Sequence, residues 1–183
     1  MNERLVRVAW FARAVSVVSV MLLGTACDRS VRTTPIVKPL AVGAASPAYR
    51  AATLTGDTIA FGGAASQDVV LLNVWATWCT SCKEEFAELE RIRGAYAARG
   101  LRVVAVSVDQ GGDEKVRQFV AAQQSTFPVA HDREAKISAL YGVVGLPATY
   151  LLSRGGTVAW TLTGSFLVDS VGLARAIDRT LQP

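Results

Sequence analysis

Histidine appears once in this 183-residue chain, methionine twice and cysteine three times. Three cysteines do not make the disulfide framework of a small secreted scaffold, and a chain of this length can build a core without one. Structural zinc needs four ligands, usually two Cys or His pairs. Here Cys27 lies far from Cys79 and Cys82, and His131 stands alone, so that set is short. No basic cluster interleaved with aromatics occurs, which argues against nucleic acid as a partner. No segment repeats. No uninterrupted apolar run reaches the roughly 20 residues that span a bilayer. What remains is a composition 51% apolar and 19% charged, enough for one packed core and unlike a disordered chain. The length suits one main domain.

The formal charge of +4 is concentrated at the start. Arg4, Arg7 and Arg13 oppose only Glu3 there, and half of the net charge sits in that stretch. An apolar segment from Ala14 to Leu23 follows, then small residues before Cys27. That is the anatomy of a bacterial export signal over residues 1–26, removed or retained as an N-terminal anchor. "LLGTAC" resembles a lipoprotein lipobox, with Gly24 where that motif usually has Leu. The resemblance implies lipidation of Cys27 and attachment to the cell membrane. Gly24 and Ala26 equally suit ordinary signal cleavage. Asp28 resembles an inner-membrane retention signal. In each case the domain is expected on the outer side of the cytoplasmic membrane, periplasmic or extracytoplasmic, where cysteines tend to oxidise. Residues 27–47 carry Pro35, Pro39 and Pro47 with little periodicity and read as a tether. The domain proper is expected over 48–183.

Within it, "YRAATLTGDTIAF" holds two short strand-like pieces around Gly56-Asp57, a hairpin signal. "VVLLNVWA" (69–76) is an unbroken apolar run, as in a strand covered on both faces. A helix is expected over roughly 79–98, where Phe86, Leu89, Ile92 and Tyr96 recur at helical spacing and Gly100 follows. "LRVVAVSVD" (101–109) is a second buried strand, and 113–124 an amphipathic helix. A short strand "FPVAHD", a short helix over 133–142, a hairpin from "ATYLLS" and "TVAWTLTG", and a helix over 170–181 complete the pattern. Alternating strands and helices that end in a hairpin and a helix imply an α/β fold, a mixed central sheet with helices on both faces.

The chemistry centres on "WCTSC". Cysteines three apart in the first turn of a helix share a face, within the separation a disulfide tolerates. As a staple, so short a loop removes little unfolded-chain entropy. Redox chemistry suits the spacing better. The thiolate is the attacking species, and a helix N-terminus favours it. Cys79, nearer the end, is the expected nucleophile, and Cys82 the resolving thiol.

"VVLLNVWATWCTSCKEEFAELE" resembles the active-site segment of TlpA/ResA-type thioredoxin-like proteins. The similarity runs over roughly residues 48–183 and includes "VVAVSVD", "FPVAHD" and "GVVGLPATYLLSRGGTVAW". It implies a thioredoxin fold with an N-terminal β-hairpin and a central insertion. It implies a cis-proline at Pro147 facing the cysteine pair, with the Leu146 backbone pairing an incoming polypeptide. It places a proton-handling glutamate at Glu85, a role that a carboxyl in an apolar site can fill. It sets Trp78 on the docking surface. The implied activity is thiol–disulfide exchange without a cofactor or metal, reducing exported proteins such as apocytochrome c. The implied partners are those disulfide proteins, a membrane thiol transporter as electron donor, and the membrane itself through the N-terminal lipid or anchor. A monomer is expected.

The remaining residues carry simpler expectations. Asn73 cannot take up a proton, which makes Glu85 the better candidate; alternatively it satisfies buried backbone groups. Trp75 reads as core. Ser81 and Glu84 fit a helix capping box. His131 reads as an ordinary strand-end residue, and Asp109 and Asp132 as caps of following segments. Thr80-Ser81 departs from the family's common x-Pro and tunes thiolate stability with a sign that spacing does not give. Three other functions stay open: an oxidase or isomerase of the same chemistry, a peroxiredoxin-like peroxidase, and a copper chaperone using Cys79, Cys82 and His131. The first usually carries a large insertion. The second wants T-x-x-C, and Thr77 is only two positions before Cys79. The third wants C-x-x-x-C.

Overall fold

The computed structural model describes residues 38–182. The export signal and Cys27 lie outside the described residues.

Among the described residues seven strands and four α-helices follow in order: β1 (Tyr49–Ala52), β2 (Thr58–Phe61), β3 (Val69–Trp75), α1 (Thr80–Tyr96), β4 (Leu101–Ser107), α2 (Glu114–Ala122), β5 (Val129–His131), α3 (Lys136–Tyr141), β6 (Ala148–Leu152), β7 (Val158–Thr163) and α4 (Ser170–Thr180). The central sheet has the order β5-β4-β3-β6-β7. β3, β4 and β5 run parallel. β6 is antiparallel to β3, and β7 to β6. β1 and β2 form a separate antiparallel hairpin. This is the thioredoxin arrangement, with α2 and β5 as the insertion.

Every residue of β3 is buried. Side chains alternate across a strand, so Val69, Leu71 and Trp75 reach one core while Val70, Leu72 and Val74 reach the other. The first core is roofed by α1, α2 and α4 through Phe86, Leu89, Val116, Leu173 and Ile177. The second is roofed by Ile137 and Tyr141 of α3 together with Tyr49, Ile59 and Phe61 of the hairpin. Each large aliphatic or aromatic side chain so buried contributes about 1.5–3 kcal/mol of transfer free energy. Trp75 packs edge-on to Phe86, ring centroids 4.5 Å apart. It is core, as expected.

α1 starts one residue later than the periodicity suggests and gives way to a 3₁₀ turn over Ala97–Arg99. Gly100 closes it at φ 97°, a left-handed conformation that a Cβ would penalise. The domain also starts earlier than residue 48. Gly43 N donates to Val158 O, Val158 N to Ala44 O, and Ser46 N to Gly156 O. Residues 38–47, read from their prolines as the end of a tether, are therefore laid against β7 and the turn before it.

Candidate active site

β3 ends at Trp75, and a short turn over 76–79 feeds α1. Cys79 N donates to Ala76 O at 3.1 Å, tightening that turn. Cys79 is the N-cap of α1 and is joined to Cys82 in a disulfide with Cα atoms 5.3 Å apart. Its Sγ accepts the Cys82 N–H at 3.2 Å and lies 3.6 Å from Ser81 Oγ. A cap atom satisfies one of the free N–H groups of the first helical turn. Here the cap is the sulfur. The capping box expected from Ser81 and Glu84 does not form, because the helix begins at Thr80 and puts Ser81 inside the first turn. No acidic residue occupies that turn, and Lys83 stands in it. A thiolate at Cys79 would meet the Cys82 N–H and the positive end of the helix. Cys79 is 7% exposed and Cys82 fully buried, so an approaching partner meets Cys79 first.

One turn further, Glu85 is fully buried. Its Oε1 accepts the Phe166 N–H at 2.7 Å and its Oε2 the Asn73 Nδ2 at 2.9 Å. Asn73 Nδ2 also donates to Thr149 Oγ1 at 3.0 Å. Burial pushes the carboxyl up to about 6, against the donors from Phe166, Asn73 and Ser165 that favour its ionised form. Asn73 thus serves this carboxyl rather than backbone groups. Thr149 and the Phe166 amide escaped the sequence reading. Thr149 had a signal, standing two residues past Pro147 on the strand that pairs with β3. The Phe166 amide had none, since a backbone donor leaves no mark in side-chain identity.

The register Val74↔Ala148 sets Pro147 across from the end of β3, where the turn to Cys79 begins. The Leu146–Pro147 peptide is cis, and Pro147 O accepts from Gly164 N at 2.8 Å. Leu146 packs on both cores. Trp78, beside Cys79, is 68% exposed.

Asp109 does more than cap. Its carboxylate accepts from Thr77 N at 2.8 Å, Thr77 Oγ1 at 2.6 Å and Ser107 Oγ at 2.7 Å, and so holds the turn that carries Trp78. His131 is correspondingly not ordinary: Nδ1 meets Asp113 Oδ1 and Nε2 meets the Asp109 carbonyl, both at 2.7 Å. Asp113, bonded by Arg133 and His131, is held down at about 2. Asp132 does cap α3, accepting from Ile137 N at 2.7 Å.

Residues 42–161 match the AhpC/TSA family. The thiol-disulfide oxidoreductase ResA of Oceanobacillus iheyensis is 36% identical over 100 residues, 55% of this chain and 52% of that protein. The chain thus spans about half the length of such curated relatives. The thioredoxin-like protein YneN of Bacillus subtilis is 35% identical over 118 residues, 63% of this chain and 68% of that protein. Among solved structures, a Chlorobium tepidum protein assigned as a thiol:disulfide interchange protein DsbE superposes with a TM-score of 0.72 at 30% identity, covering 78% of this chain and 99% of the other. The chain belongs to the AhpC/TSA family and, with its thioredoxin fold, to the TlpA/ResA-type group.

Proposed function

We propose that this protein is a thiol–disulfide oxidoreductase in which Cys79 attacks, Cys82 resolves and Glu85 handles the proton. The observation that carries the reading is the Cys79 sulfur serving as the cap of α1 while its partner sulfur is sealed beneath it. In the reduced protein the Cys79 thiolate attacks one sulfur of a substrate disulfide. That S–S bond breaks, a mixed disulfide forms, and the departing substrate thiolate takes a proton from solvent. Cys82 then loses its proton to the Glu85 carboxylate and attacks Cys79 Sγ. The second substrate thiolate leaves, and the Cys79–Cys82 bond forms. Two electrons pass from the protein to the substrate. Reversal of these steps oxidises a dithiol, so the reduction potential decides between a reductase and an oxidase or isomerase. A carboxyl near 6 is suited to exchange protons around neutrality.

Trp78, Leu146 and Pro147 form the docking side of this reading. Among the described residues the Leu146 N–H and C=O have no backbone partner, which leaves them for an added strand. Two alternatives lose ground on contacts. The Thr77 hydroxyl is engaged by Asp109 and is not offered to a peroxide. Both ring nitrogens of His131 face acceptors, which weighs against it as a copper ligand.

The substrates we propose are disulfides of exported proteins, apocytochrome c among them, with electrons from a membrane thiol transporter. The site would work on the outer side of the cytoplasmic membrane, anchored through the N-terminal segment or a lipid on Cys27. The charged, apolar and small-residue order of residues 1–27 supports this. No helix among the described residues is long and apolar enough to cross a membrane. Trapping tests the reading: Cys82→Ser should hold substrates as mixed disulfides through Cys79, and Cys79→Ser should hold none. Two thiols that never exchange with a model disulfide would overturn it.

A further inference from the structure

Asn73 Oδ1 is buried, and among the described residues no donor reaches it. The other end of the same amide is doubly engaged: Nδ2 donates to Glu85 Oε2 at 2.9 Å and to Thr149 Oγ1 at 3.0 Å. We propose that Asn73 is a positioning residue whose amide turns over when Glu85 takes up a proton, so that it donates to the carboxylate and accepts from the acid. This deepens the exchange reading and rests on Glu85 as the group that receives the Cys82 proton.

A buried amide oxygen left empty costs free energy, and the observed orientation fits only the ionised carboxylate. When the Cys82 S–H bond breaks and its proton goes to Glu85, the carboxylate becomes an acid with one carbonyl oxygen and one hydroxyl. Oε1 faces the Phe166 N–H at 2.7 Å. That donor is fixed in the backbone, so Oε1 stays the acceptor and Oε2 carries the hydrogen. Oε2–H then stands against Nδ2–H, donor against donor. A half turn about the Asn73 Cβ–Cγ bond exchanges Oδ1 and Nδ2 in place. Oδ1 then accepts from Glu85 Oε2, and from Thr149 Oγ1 once that hydroxyl rotates. The amide makes two hydrogen bonds in either orientation and leaves one end empty in either. Among the described residues no charged side chain shifts this carboxyl. The groups that bear on it are Phe166 N and the Ser165 hydroxyl from the turn before α4, and Asn73 from β3, with Cys82 three residues earlier on α1. Ser165 contributes least of these donors, and its oxygen caps the following 3₁₀ turn through Leu167 N.

Nuclear Overhauser contact between the Asn73 side-chain NH₂ and the Thr149 methyl, in the isotope-labelled oxidised full chain, tests this without a substitution. Well above the Glu85 midpoint of about 6 the contact should be strong, and well below it should be lost. In Glu85→Gln the new carboxamide keeps its oxygen on Phe166 N and turns its NH₂ toward Asn73, so the contact should be absent at every pH. A parent contact that persists at low pH overturns the turning amide alone and moves the proton to the Ser165 side. Reduction of the oxidised chain by dithiothreitol gives a second readout. The reagent's thiolate attacks Cys79 Sγ, the Cys79–Cys82 bond breaks, and Cys82 leaves as a thiolate that takes the Glu85 proton. Asn73→Leu should slow this about fivefold, the worth of one net hydrogen bond. Its rate midpoint should stay within about one pH unit of the parent's, because both states of Glu85 lose a partner. A midpoint raised further than that would mean that Asn73 only donates, and overturns the proposal. If Glu85→Gln matched the parental rate at every pH, the proton-handling role would fall and the positioning role with it.

Discussion

Asn73 and Glu85 meet inside the protein, the amide of one donating to the carboxylate of the other at 2.9 Å where neither side chain touches water. The strand residue thereby holds a carboxyl that burial pushes up to about 6. A carboxyl with a higher pKa in the folded chain than in the unfolded one binds its proton more tightly when folded. Its contribution to stability is fully present below the unfolded value, near 4.5, and is lost as pH rises through about 6. Between those limits the parent should lose about 2 kcal/mol that Glu85→Gln does not lose. Urea unfolding of the oxidised protein at a series of pH values measures this. Parallel stability curves for parent and variant would reject the shifted carboxyl.

Where packing alone decides, the sequence was a good guide. The unbroken run 69–76 became the fully buried β3, and the helical spacing of Phe86, Leu89 and Ile92 became the buried face of α1. The cysteine pair was equally legible as a disulfide, because its closure follows from spacing along one helix. What was hidden depends on register between strands. Thr77 lies 32 residues from Asp109 and Asn73 lies 76 from Thr149, and no local pattern announces such pairs. The boundary at residue 48 went astray for a related reason. Proline and low periodicity mark residues 38–47 as irregular, and irregular chain can still be tied down by backbone hydrogen bonds to a strand.

Ser81 supplies the sign that the Thr80-Ser81 dipeptide left open. Its hydroxyl lies 3.6 Å from Cys79 Sγ, a weak contact to a disulfide sulfur and a charge-assisted one to a thiolate. It therefore favours the reduced, ionised form. Ser81→Ala should raise the Cys79 thiol pKa by about half a unit to one unit, and lower the reduction potential by about 15–30 mV. Ser81→Thr should keep both near the parent. Thiolate absorbance against pH and equilibration with a glutathione buffer give the two numbers. An unchanged pKa in Ser81→Ala would show that the hydroxyl does not reach the sulfur.

The segment before β1 should be worth several kilocalories. It makes backbone hydrogen bonds from Gly43 to Val158, Val158 to Ala44, Ser46 to Gly156 and Gly63 to Ser46, plus one from Ser46 Oγ to Gly156 O. At about 1 kcal/mol net for each, a chain starting at residue 48 should be about 3–5 kcal/mol less stable than one starting at residue 38. Gly156→Ala should act in the same direction, since a Cβ there would stand 2.2 Å from Gly63 O at a φ of +70°. Denaturant midpoints of the two lengths decide the matter. Equal midpoints would mean that the segment merely rests on the surface.

Asp109 should be separable into its charge and its shape. Oδ2 accepts from Thr77 N and Ser107 Oγ, and Oδ1 from Thr77 Oγ1. In Asp109→Asn the amide oxygen can keep the first two bonds. The new N–H can donate to the Thr77 hydroxyl, which rotates to accept. That variant should lose less than about 1 kcal/mol. Asp109→Ala strands three donors in a largely buried place and should cost about 2–4 kcal/mol. Because Thr77 opens the turn into Cys79, Asp109→Ala should also slow exchange with a protein disulfide more than with a small-molecule disulfide, which needs no wall at Trp78. Asp109→Asn should retain the parental ratio of those two rates. If both variants slowed both reactions alike, the network would be holding the fold and not the docking side of the site.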